Sequence, residues 1–406
     1  MGRIVVVGPS QPARTPRLVR NADALAAAGH DVVVVTPVSE PDVIPFDNAL
    51  VARSAWRYEP VSLLGDSRQL SISHRLIRRI MAATFTRWPA SKMGSYALMY
   101  GASSLRSVLG NLNADLYLAQ QQACLPLVAS VAVSKKKPFA CDIEDILAES
   151  TSEPRALLKI IERDYLYRAA VVSTMSESAA DHLNDIYKLP VSVLPLHNCS
   201  NLAERANLLS PVNRQLWRHP SIYWFGQTLG PHSMAIELIQ ANAKAGNFFK
   251  IVLRGRPQPD YIQKIHEVAT ACGAAGLVNM LPIVDPSTMV HEAACHDVLF
   301  GSQPSQQLFH QLAIGNKVFT GMLAGCAVLA SNTIAHRRLK QASAGAILLF
   351  ENDRINSLAE KLTQLAASPS LLMCMRESAW DAGTNHYHWE TESRAWCAQV
   401  EKAIVQ

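Results

Sequence analysis

The sequence predicts an α/β protein of two domains, each built around a parallel β-sheet. The chain opens with a β-branched run at Arg3–Val7, a helical pattern over Arg17–Ala28 and a second apolar run at Asp31–Thr36. A strand, a helix and a parallel strand within about 35 residues form a right-handed βαβ unit. A second strand-and-helix pattern begins at Ile222–Phe225, after a stretch in which the apolar pattern gives way to asparagine, serine, arginine, proline and histidine. Two such beginnings within 406 residues predict two domains.

The composition is that of a chain with large buried cores. Hydrophobic residues make up 49% of the chain and charged residues only 17%, which excludes a disordered protein. No apolar run is long enough to span a bilayer and the first residues lack a secretory pattern, so we expect a cytoplasmic protein. The eight cysteines form no C-x-x-C pair, so neither a zinc knuckle nor a disulfide framework is expected.

Further strands of the first sheet are predicted after the opening βαβ unit. The turn after the first strand, from Gly8 to Pro16, lacks the G-x-G-x-x-G spacing that lets a backbone approach a pyrophosphate. No dinucleotide cofactor is therefore expected. Apolar runs predict four more strands, at Asp115–Ala119, Pro138–Cys141, Ala169–Ser173 and Val191–Pro195.

Three carboxylates cluster behind one of these strands. Asp142, Glu144 and Asp145 directly follow Pro138–Cys141, at the edge where open α/β sheets bind ligands. One of them could orient or deprotonate a substrate hydroxyl. Alternatively, Asp142 or Asp145 only caps the helix that follows.

A basic, acid-free segment lies between residues 67 and 114. Its arginines are interleaved with apolar residues at spacings of mostly three or four, which favours an amphipathic surface for an anionic membrane. The alternative is a helix pair with solvated arginines, and nucleic-acid binding is not expected because no accompanying motif is present. The residues predicted to face the membrane are Arg75, Arg78, Arg79, Arg87 and Trp88.

Two strand ends in the second half point to an oxyanion. Gly226 opens the loop after Ile222–Phe225, and a glycine lets backbone N–H groups approach an oxyanion closely. His232 either adds partial positive charge there or is simply exposed. Arg254 follows the strand Phe249–Leu253, where a guanidinium could bind a diphosphate in a bidentate fork or remain solvated.

The remaining strands are predicted at Leu277–Leu281, His296–Phe300, Ala327–Ala330 and Ala346–Phe350, and further helices at Ser233–Ala245, Ser357–Ala367 and Glu392–Val405.

The stretch that begins at Asn316 is the most informative. Apolar residues recur at helical spacing from Val318 to Leu323, and Gly325 ends the helix before a short apolar strand. The polar start of this helix combines unpaired backbone N–H groups, the positive end of the helix dipole and Lys317. Together these groups favour a phosphate, and a diphosphate would fit.

This stretch reads N-K-x-F-x-x-x-x-A-G-x-x-V-x-A-S and resembles the donor-site helix of glycosyltransferases with the GT-B architecture, specifically family 4 of the retaining enzymes. Four further pieces resemble the family in the same order: the opening βαβ unit, Cys141–Asp145, Tyr223–Gly230 and His388–Glu392. The resemblance implies two Rossmann-like domains facing each other across a cleft. The first would hold the acceptor and the second the nucleotide-sugar donor.

The residue patterns and the resemblance together predict the site. Asp142, Lys317 and Arg254 are the predicted catalytic residues. In the family, backbone atoms after the strand that corresponds to Leu277–Leu281 hold the nucleobase, and this position falls at Pro282 here. The predicted acceptor-binding residues are Gly8, Gln120, Gln121, Asp142 and Glu144, and the predicted donor-binding residues are Gly226, Gln227, Thr228, His232, Arg254, Pro282, Asn316, Lys317, Phe319 and Thr320.

The sequence departs from the family where carboxylates are expected. Two glutamates typical of the family fall on Leu312 and Thr320, and a histidine frequent in the family's cleft falls among Gln120 to Gln122. Thr320 can still hydrogen-bond a ribose, whereas a leucine cannot stabilise charge and a glutamine cannot accept a proton. The same losses argue against a sugar-nucleotide epimerase, and they favour a second hypothesis, a non-catalytic homologue that binds a nucleotide-sugar or a partner.

We therefore predict an acceptor domain over residues 1–198, a linker over 199–219, a nucleotide-sugar domain over 220–388 and a terminal helix over 389–406 that crosses back to the first domain. His386, His388, Trp389 and Trp396 are expected to pack near this crossing and not to bind a metal.

The predicted function is hexosyl transfer from a nucleotide-sugar to a saccharide or lipid-linked acceptor in polysaccharide or glycolipid biosynthesis. We expect retention of configuration, no metal or other cofactor, and a cytoplasmic protein peripheral to the inner face of the plasma membrane.

Overall fold

The computed structural model describes residues 1–64, 76, 80, 93–214, 219–303, 307–352 and 354–405. The chain divides into two compact units. Unit 1 comprises Met1–Leu196 together with Ser393–Gln406, and unit 2 comprises His197–Glu392. The predicted membrane-facing residues Arg75, Arg78, Arg79, Arg87 and Trp88 lie outside the described residues.

Unit 1 is built on a seven-stranded parallel sheet with the order β3-β2-β1-β4-β5-β6-β7. Its central strands are buried along nearly their whole length, as expected for a parallel sheet covered by helices on both faces. The strands are β1 Arg3–Val7, β2 Asp31–Val38, β3 Arg57–Ser62, β4 Leu116–Gln120, β5 Phe139–Ile143, β6 Val171–Thr174 and β7 Leu194–Pro195. The helices are α1 Pro16–Ala27, α2 Ile44–Val51, α3 Gly94–Leu98, α4 Ala102–Asn111, α5 Leu125–Ser134, α6 Arg155–Leu166 and α7 Glu177–Tyr187.

Unit 2 repeats this plan with a six-stranded parallel sheet of order β10-β9-β8-β11-β12-β13. The strands are β8 Ser221–Leu229, β9 Lys250–Pro257, β10 Val278–Leu281, β11 Val298–Gly301, β12 Ala327–Ser331 and β13 Ile347–Phe350. The helices are α8 Ala235–Lys244, α9 Pro259–Ala271, α10 Met289–Ala294, α11 Leu308–Leu312, α12 Asn316–Ala324, α13 Ile334–Ala342, α14 Ile355–Ala367, α15 Pro369–Asn385 and α16 Trp389–Val405, which continues into unit 1.

The predicted α/β class, with one parallel sheet in each of two units, is confirmed. In both sheets the strand order reverses beside the first strand of the unit, between β1 and β4 and between β8 and β11. Ligands of open α/β sheets bind outside the carboxyl ends of the strands at such reversals. The fold therefore gives each unit one favoured edge for a site. No helix in the described ranges combines the length and apolar character needed to cross a bilayer.

The segment predicted as a linker over 199–219 is, in its described part, an integral piece of unit 2. Cys199 is fully buried in a core cluster with Phe319 and Met322. Further along, the Arg205 guanidinium stacks 3.5 Å from the centroid of the Trp380 ring. The segment is therefore held in unit 2 by arginine contacts as well as by apolar contacts of residues such as Cys199.

The predicted glycine loop after Phe225 is also different in the structure. Strand β8 continues through it to Leu229 and stays paired with β9, with a register shift between Phe225 and Thr228. The close pairing needs small residues, since a Cβ on Gly255 would lie 2.7 Å from the carbonyl oxygen of Gly226. Gly255 therefore permits the close approach of the two strands.

Two helices of unit 2 touch backbone to backbone. A Cβ on Gly383 of α15 would lie 2.7 Å from Leu323 Cα in α12. Neither backbone can move without displacing its helix. The packing of α12 on α15 thus depends on a glycine.

Gly383→Ala should lower the free energy of unfolding by about 1–3 kcal/mol, because overpacking forces the helices apart. Gly110→Ala is the matched control, since this helical glycine has open space around its Cβ position and should be neutral or stabilising by up to about 1 kcal/mol. Urea denaturation of both variants measures the difference, and equal effects would show that the backbone contact is unimportant.

Candidate functional site

Helix α12 is closed at its carboxyl end. Gly325 follows it in the left-handed conformation, with φ of 72°, which glycine adopts without strain. Three guanidinium groups satisfy the terminal carbonyls and oppose the negative end of the helix dipole. The donated bonds run from Arg205 to Leu323, from Arg214 to Ala324 and from Arg376 to Gly325.

The amino end of the same helix is open. Gly315 stands at the N-cap and offers no side chain to the first amides. Within the described ranges, the backbone N–H groups of Asn316 and Lys317 donate no hydrogen bond. These amides carry the positive end of the dipole at the carboxyl edge of the sheet, where an anion can approach.

The Lys317 ammonium lies beside these amides, over two aromatic rings. Its Nζ is 5.2 Å from the centroid of the Trp224 ring and 5.7 Å from that of Phe225. No carboxylate in the described part of the chain pairs with it. Burial lowers the pKa of Lys317 to about 8. An ammonium group held by aromatic faces and lacking a counter-ion favours an anionic ligand.

His232 completes this cluster. Its ring centroid is 6.0 Å from that of Trp224, and its pKa is lowered by burial and then by the charge of Lys317. The imidazole hydrogen-bonds the backbone of Thr228. At neutral pH His232 is therefore a neutral hydrogen-bonding group beside the cation.

Trp224 is the residue that organises the cluster. Its indole Nε1 donates to Ser302 Oγ at 3.2 Å, and that hydroxyl donates to the Ser233 carbonyl at 2.9 Å. Gly226 leaves room for the ring, since a Cβ there would lie 2.7 Å from it. Sequence reasoning identified Lys317, His232 and Gly226 but missed the tryptophan. Trp224 sits inside an apolar run, where a core role is the ordinary interpretation.

Gln303 was also missed and lies at the same edge. Its Oε1 is 3.9 Å from the position of a Cβ on Gly315, at the start of α12. Its Nε2 is 3.4 Å from His310 Nδ1, and its backbone N–H donates to Ser331 Oγ. An uncharged amide thus stands near the open helix end. The feature of the sequence that could have identified Gln303 is its position two residues after strand β11.

Arg254 does not reach this cluster. It is 5% exposed and donates to Tyr223 Oη and to the Pro282 carbonyl, each at 2.7 Å, and to the Glu292 carboxylate. The guanidinium N–H groups of Arg254 are thus bound to protein groups. Strand β9 continues past Arg254 to Pro257 and holds the side chain inside unit 2. The predicted diphosphate contact is corrected to a structural one that fixes the backbone of Pro282, whose side chain is exposed.

The predicted donor residues beyond the first turn of α12 are buried in protein. Phe319 is fully buried and packs against the rings of His197 and Tyr387, and Thr320 is 3% exposed. This part of the helix lies against α10, α15 and the sheet. Asn316 is exposed at the helix start, while Gln227 and Thr228 are exposed on β8. Leu312, at one of the two glutamate positions, is 4% exposed.

In unit 1, Asp142 is the centre of a buried polar network. Arg17 forms a bidentate pair with it, with Nε to Oδ2 at 2.7 Å and Nη2 to Oδ1 at 2.9 Å. Both side chains have 0% exposure. Asn21, Gln120 and Ser173 donate three further bonds to the same carboxylate at 2.8–3.0 Å.

This network corrects the predicted role of Asp142. Burial acts to raise the pKa of Asp142, but the charge and hydrogen bonds of Arg17 outweigh it and leave the pKa below its ordinary value. A carboxylate has about four lone-pair sites, and five donors already occupy them. Asp142 and Gln120 therefore stabilise unit 1 and have no free group for an acceptor. The sequence concealed this because Arg17 lies 125 positions away.

Glu144 and Asp145 remain available at the end of β5. Burial raises the pKa of Glu144, and burial together with the charge of Glu144 raises the pKa of Asp145 to about 7. Gln121 Nε2 is 3.4 Å from the Glu144 carboxylate. The alternative capping role is not seen for Asp145, since Ile146 is the N-cap of the short helix Leu147–Glu149.

Gly8 is explained by packing. A Cβ at this position would lie 2.2 Å from Leu18 Cδ1, so the turn after β1 can pass α1 only with glycine. No group of three or more His, Cys, Asp or Glu side chains in the described residues is arranged to hold a metal ion.

Comparison with known proteins agrees with this architecture. Residues 15–199 match the model of the family described as the glycosyl transferase 4-like domain. The resemblance to GT-B glycosyltransferases expected from the sequence is thereby confirmed, and among curated protein sequences none matches the chain.

Solved structures share the fold over the full length of both chains. Anabaena HepE in complex with UDP and glucose has a TM-score of 0.72 at 13% identity, covering 99% of this chain and 100% of HepE. A glycosyltransferase from Rickettsia africae has a TM-score of 0.68 at 12% identity, covering 100% and 99%. Sucrose-phosphate synthase from Thermosynechococcus elongatus has a TM-score of 0.69 at 13% identity, again covering 100% and 99%. At these identities the likeness shows the fold alone.

Arg17→Met should lower the free energy of unfolding by about 3–5 kcal/mol, because it leaves the Asp142 charge buried without its partner. Arg14→Met is the control from the same part of the chain, where an exposed pair with Glu40 is worth at most about 1 kcal/mol. Urea denaturation compares the two, and similar losses would contradict the structural role assigned to the Arg17–Asp142 pair.

Proposed function

We propose that the chain is a glycosyltransferase that binds a nucleotide-sugar at the open end of α12 and transfers the sugar to an acceptor held by unit 1. The observation that carries this proposal is the Lys317 ammonium, which lies over two aromatic rings and pairs with no carboxylate among the residues that the structure describes. It stands beside the helix-terminal amides of Asn316 and Lys317, which donate to no described residue, and a diphosphate supplies the missing negative charge.

The chemistry of sugar transfer requires charge stabilisation at this point. The bond between the anomeric carbon and the diphosphate oxygen breaks, the acceptor oxygen bonds to that carbon, and the acceptor loses its hydroxyl proton. The leaving nucleoside diphosphate gains one negative charge. Lys317 and the amides of Asn316 and Lys317 are fixed in position to receive it, and such preorganised groups lower the barrier.

Several finer features belong to the proposal. We infer a UDP-sugar because HepE is described with UDP and glucose. Transfer of a hexose with retention of configuration and without a metal ion rests on the resemblance to family 4. For the acceptor we propose a saccharide or a lipid-linked saccharide of polysaccharide or glycolipid biosynthesis. Glu144 and Asp145 stand at the ligand edge of unit 1 and are the candidates to bind its hydroxyl groups.

A non-catalytic homologue is the second candidate function. Leu312 and Thr320 stand where the resembling family has carboxylates, and Arg254 and Asp142 are engaged in internal ion pairs. Such a protein would retain the anion site at Lys317 and bind a nucleotide-sugar without turnover. Incubation with UDP-glucose and mass spectrometry of the products distinguishes the two.

Lys317→Ala should weaken UDP binding about 10- to 100-fold, as expected for loss of a charged hydrogen-bonding partner. Lys244→Ala is the control, because this exposed lysine of unit 2 lies in the last turn of α8. Isothermal titration calorimetry measures both variants. If UDP does not bind the wild type, or binds both variants alike, the proposal is wrong.

The affinity for UDP should also depend on pH. A pKa of about 8 means that the free protein loses the Lys317 proton as pH rises through this value, so binding requires proton uptake above it. UDP affinity should therefore fall about tenfold from pH 7 to pH 9. Lys317→Arg, which stays charged, should remove this dependence. A flat profile for the wild type would contradict the assignment of Lys317 as the anion ligand.

A further inference from the structure

The first and last residues of unit 2 are hydrogen-bonded to each other. Unit 2 begins at His197 and ends at Glu392. The backbone N–H of His197 donates to Glu392 Oε2 at 3.0 Å, and its Nδ1 lies 3.0 Å from Oε1. The two side chains are 3% and 12% exposed. The two points at which the chain passes between the units are thus joined by a largely buried pair.

Neighbouring residues extend this junction. The backbone N–H of Trp389 donates to the Ser200 carbonyl at 2.9 Å, and that of Leu202 donates to the Glu390 carboxylate at 2.9 Å. On the unit 1 side, Arg17 Nη1 donates to the Leu196 carbonyl at 2.6 Å. Each connecting segment is therefore held by specific bonds within its own unit, and we call residues 197–202 with 388–392 the clasp.

The clasp touches the candidate anion site through one ring. The His197 imidazole centroid is 4.9 Å from that of Phe319 and 5.7 Å from that of Tyr387, and the Phe319 and Tyr387 rings are 5.6 Å apart. Phe319 has 0% exposure and lies in α12, two residues after Lys317. A shift of the His197 ring therefore cannot occur without a shift of Phe319, because a close-packed core has no free volume to absorb it.

We propose that His197 is a positioning residue. It holds the start of α12, and with it Lys317, in a fixed position relative to the clasp. Glu392 fixes His197 through one bond from its backbone N–H and one to its imidazole Nδ1, and the imidazole fixes Phe319 through ring packing. The anion site is thereby coupled to both chain crossings, although neither His197 nor Glu392 belongs to that site. This inference rests on the proposed function only where it concerns ligand affinity.

The direct test is hydrogen exchange of the α12 amides in the protein without ligand. His197→Asn keeps an amide that can reach Glu392 but presents no ring to Phe319. It should raise the exchange rates of the amides from Thr320 to Ala324 about tenfold or more. His388→Asn is the matched control, since His388 is 8% exposed and bonds Glu390 and Thr391 of its own segment. Exchange in α12 that rises equally in both variants, or in neither, overturns the proposal.

A third variant separates positioning from general stability. His197→Phe keeps a ring beside Phe319 and the backbone bond to Glu392, but its side chain cannot bond Glu392. It should return the α12 exchange rates to within about threefold of the wild type while its melting temperature stays below that of the wild type. Failure of this ring to restore protection would show that His197 acts only through the stability of the clasp.

The consequence for binding is measured with UDP as the probe. His197→Asn should weaken UDP at least about threefold, and His388→Asn should not. If the wild type does not bind UDP while α12 exchange responds as described, the proposed function fails and the positioning role stands. If UDP binds through Lys317 but both histidine variants bind it like the wild type, with unchanged α12 exchange, the positioning role fails alone.

Discussion

The organisation of unit 2 depends on helix α12, whose two ends differ in their hydrogen bonding. The last carbonyls of α12 are satisfied by guanidinium groups of Arg205, Arg214 and Arg376, whereas its first two amides donate to no residue in the described ranges. A helix end without partners is costly when buried and useful when it faces a ligand. The arginines fix the carboxyl end of the helix, so the amides at its start and Lys317 present a rigid positive surface at the edge of the sheet.

Charge elsewhere in the chain is used differently. Arg17 with Asp142 and Arg254 with Glu292 are ion pairs with at least one partner fully or nearly buried. A buried ion is not available to bind a substrate, because breaking its pair would leave an unpaired charge in a medium of low dielectric constant. Lys317 lacks an acidic partner in the described ranges, and this distinguishes a candidate ligand-binding cation from the structural ones. The departure of the chain from the carboxylates of family 4 makes this single cation more important.

The alternation of apolar runs and helical patterns predicted the two parallel sheets, because strands of parallel sheets are buried on both faces and appear as continuous apolar runs. Edge strand β3 escaped prediction since Arg57–Ser62 is mostly exposed and contains Pro60. Helix α15 was also not predicted, although it supplies the glycine that packs on α12. The local motif at Lys317 could be identified from neighbours in sequence, whereas the partners of Asp142 and Arg254 could not, since they come from distant strands and helices.

The two units differ in whether their residues are continuous in sequence. Unit 2 is one continuous segment, His197–Glu392, while unit 1 needs both Met1–Leu196 and Ser393–Gln406. During synthesis on the ribosome, all of unit 2 is therefore translated before unit 1 receives its last helical turns. Residues 1–196 therefore lack part of their helical covering until residues 393–406 have been synthesised. The N-terminal unit acquires its final surface only after residues 393–406 have left the ribosome.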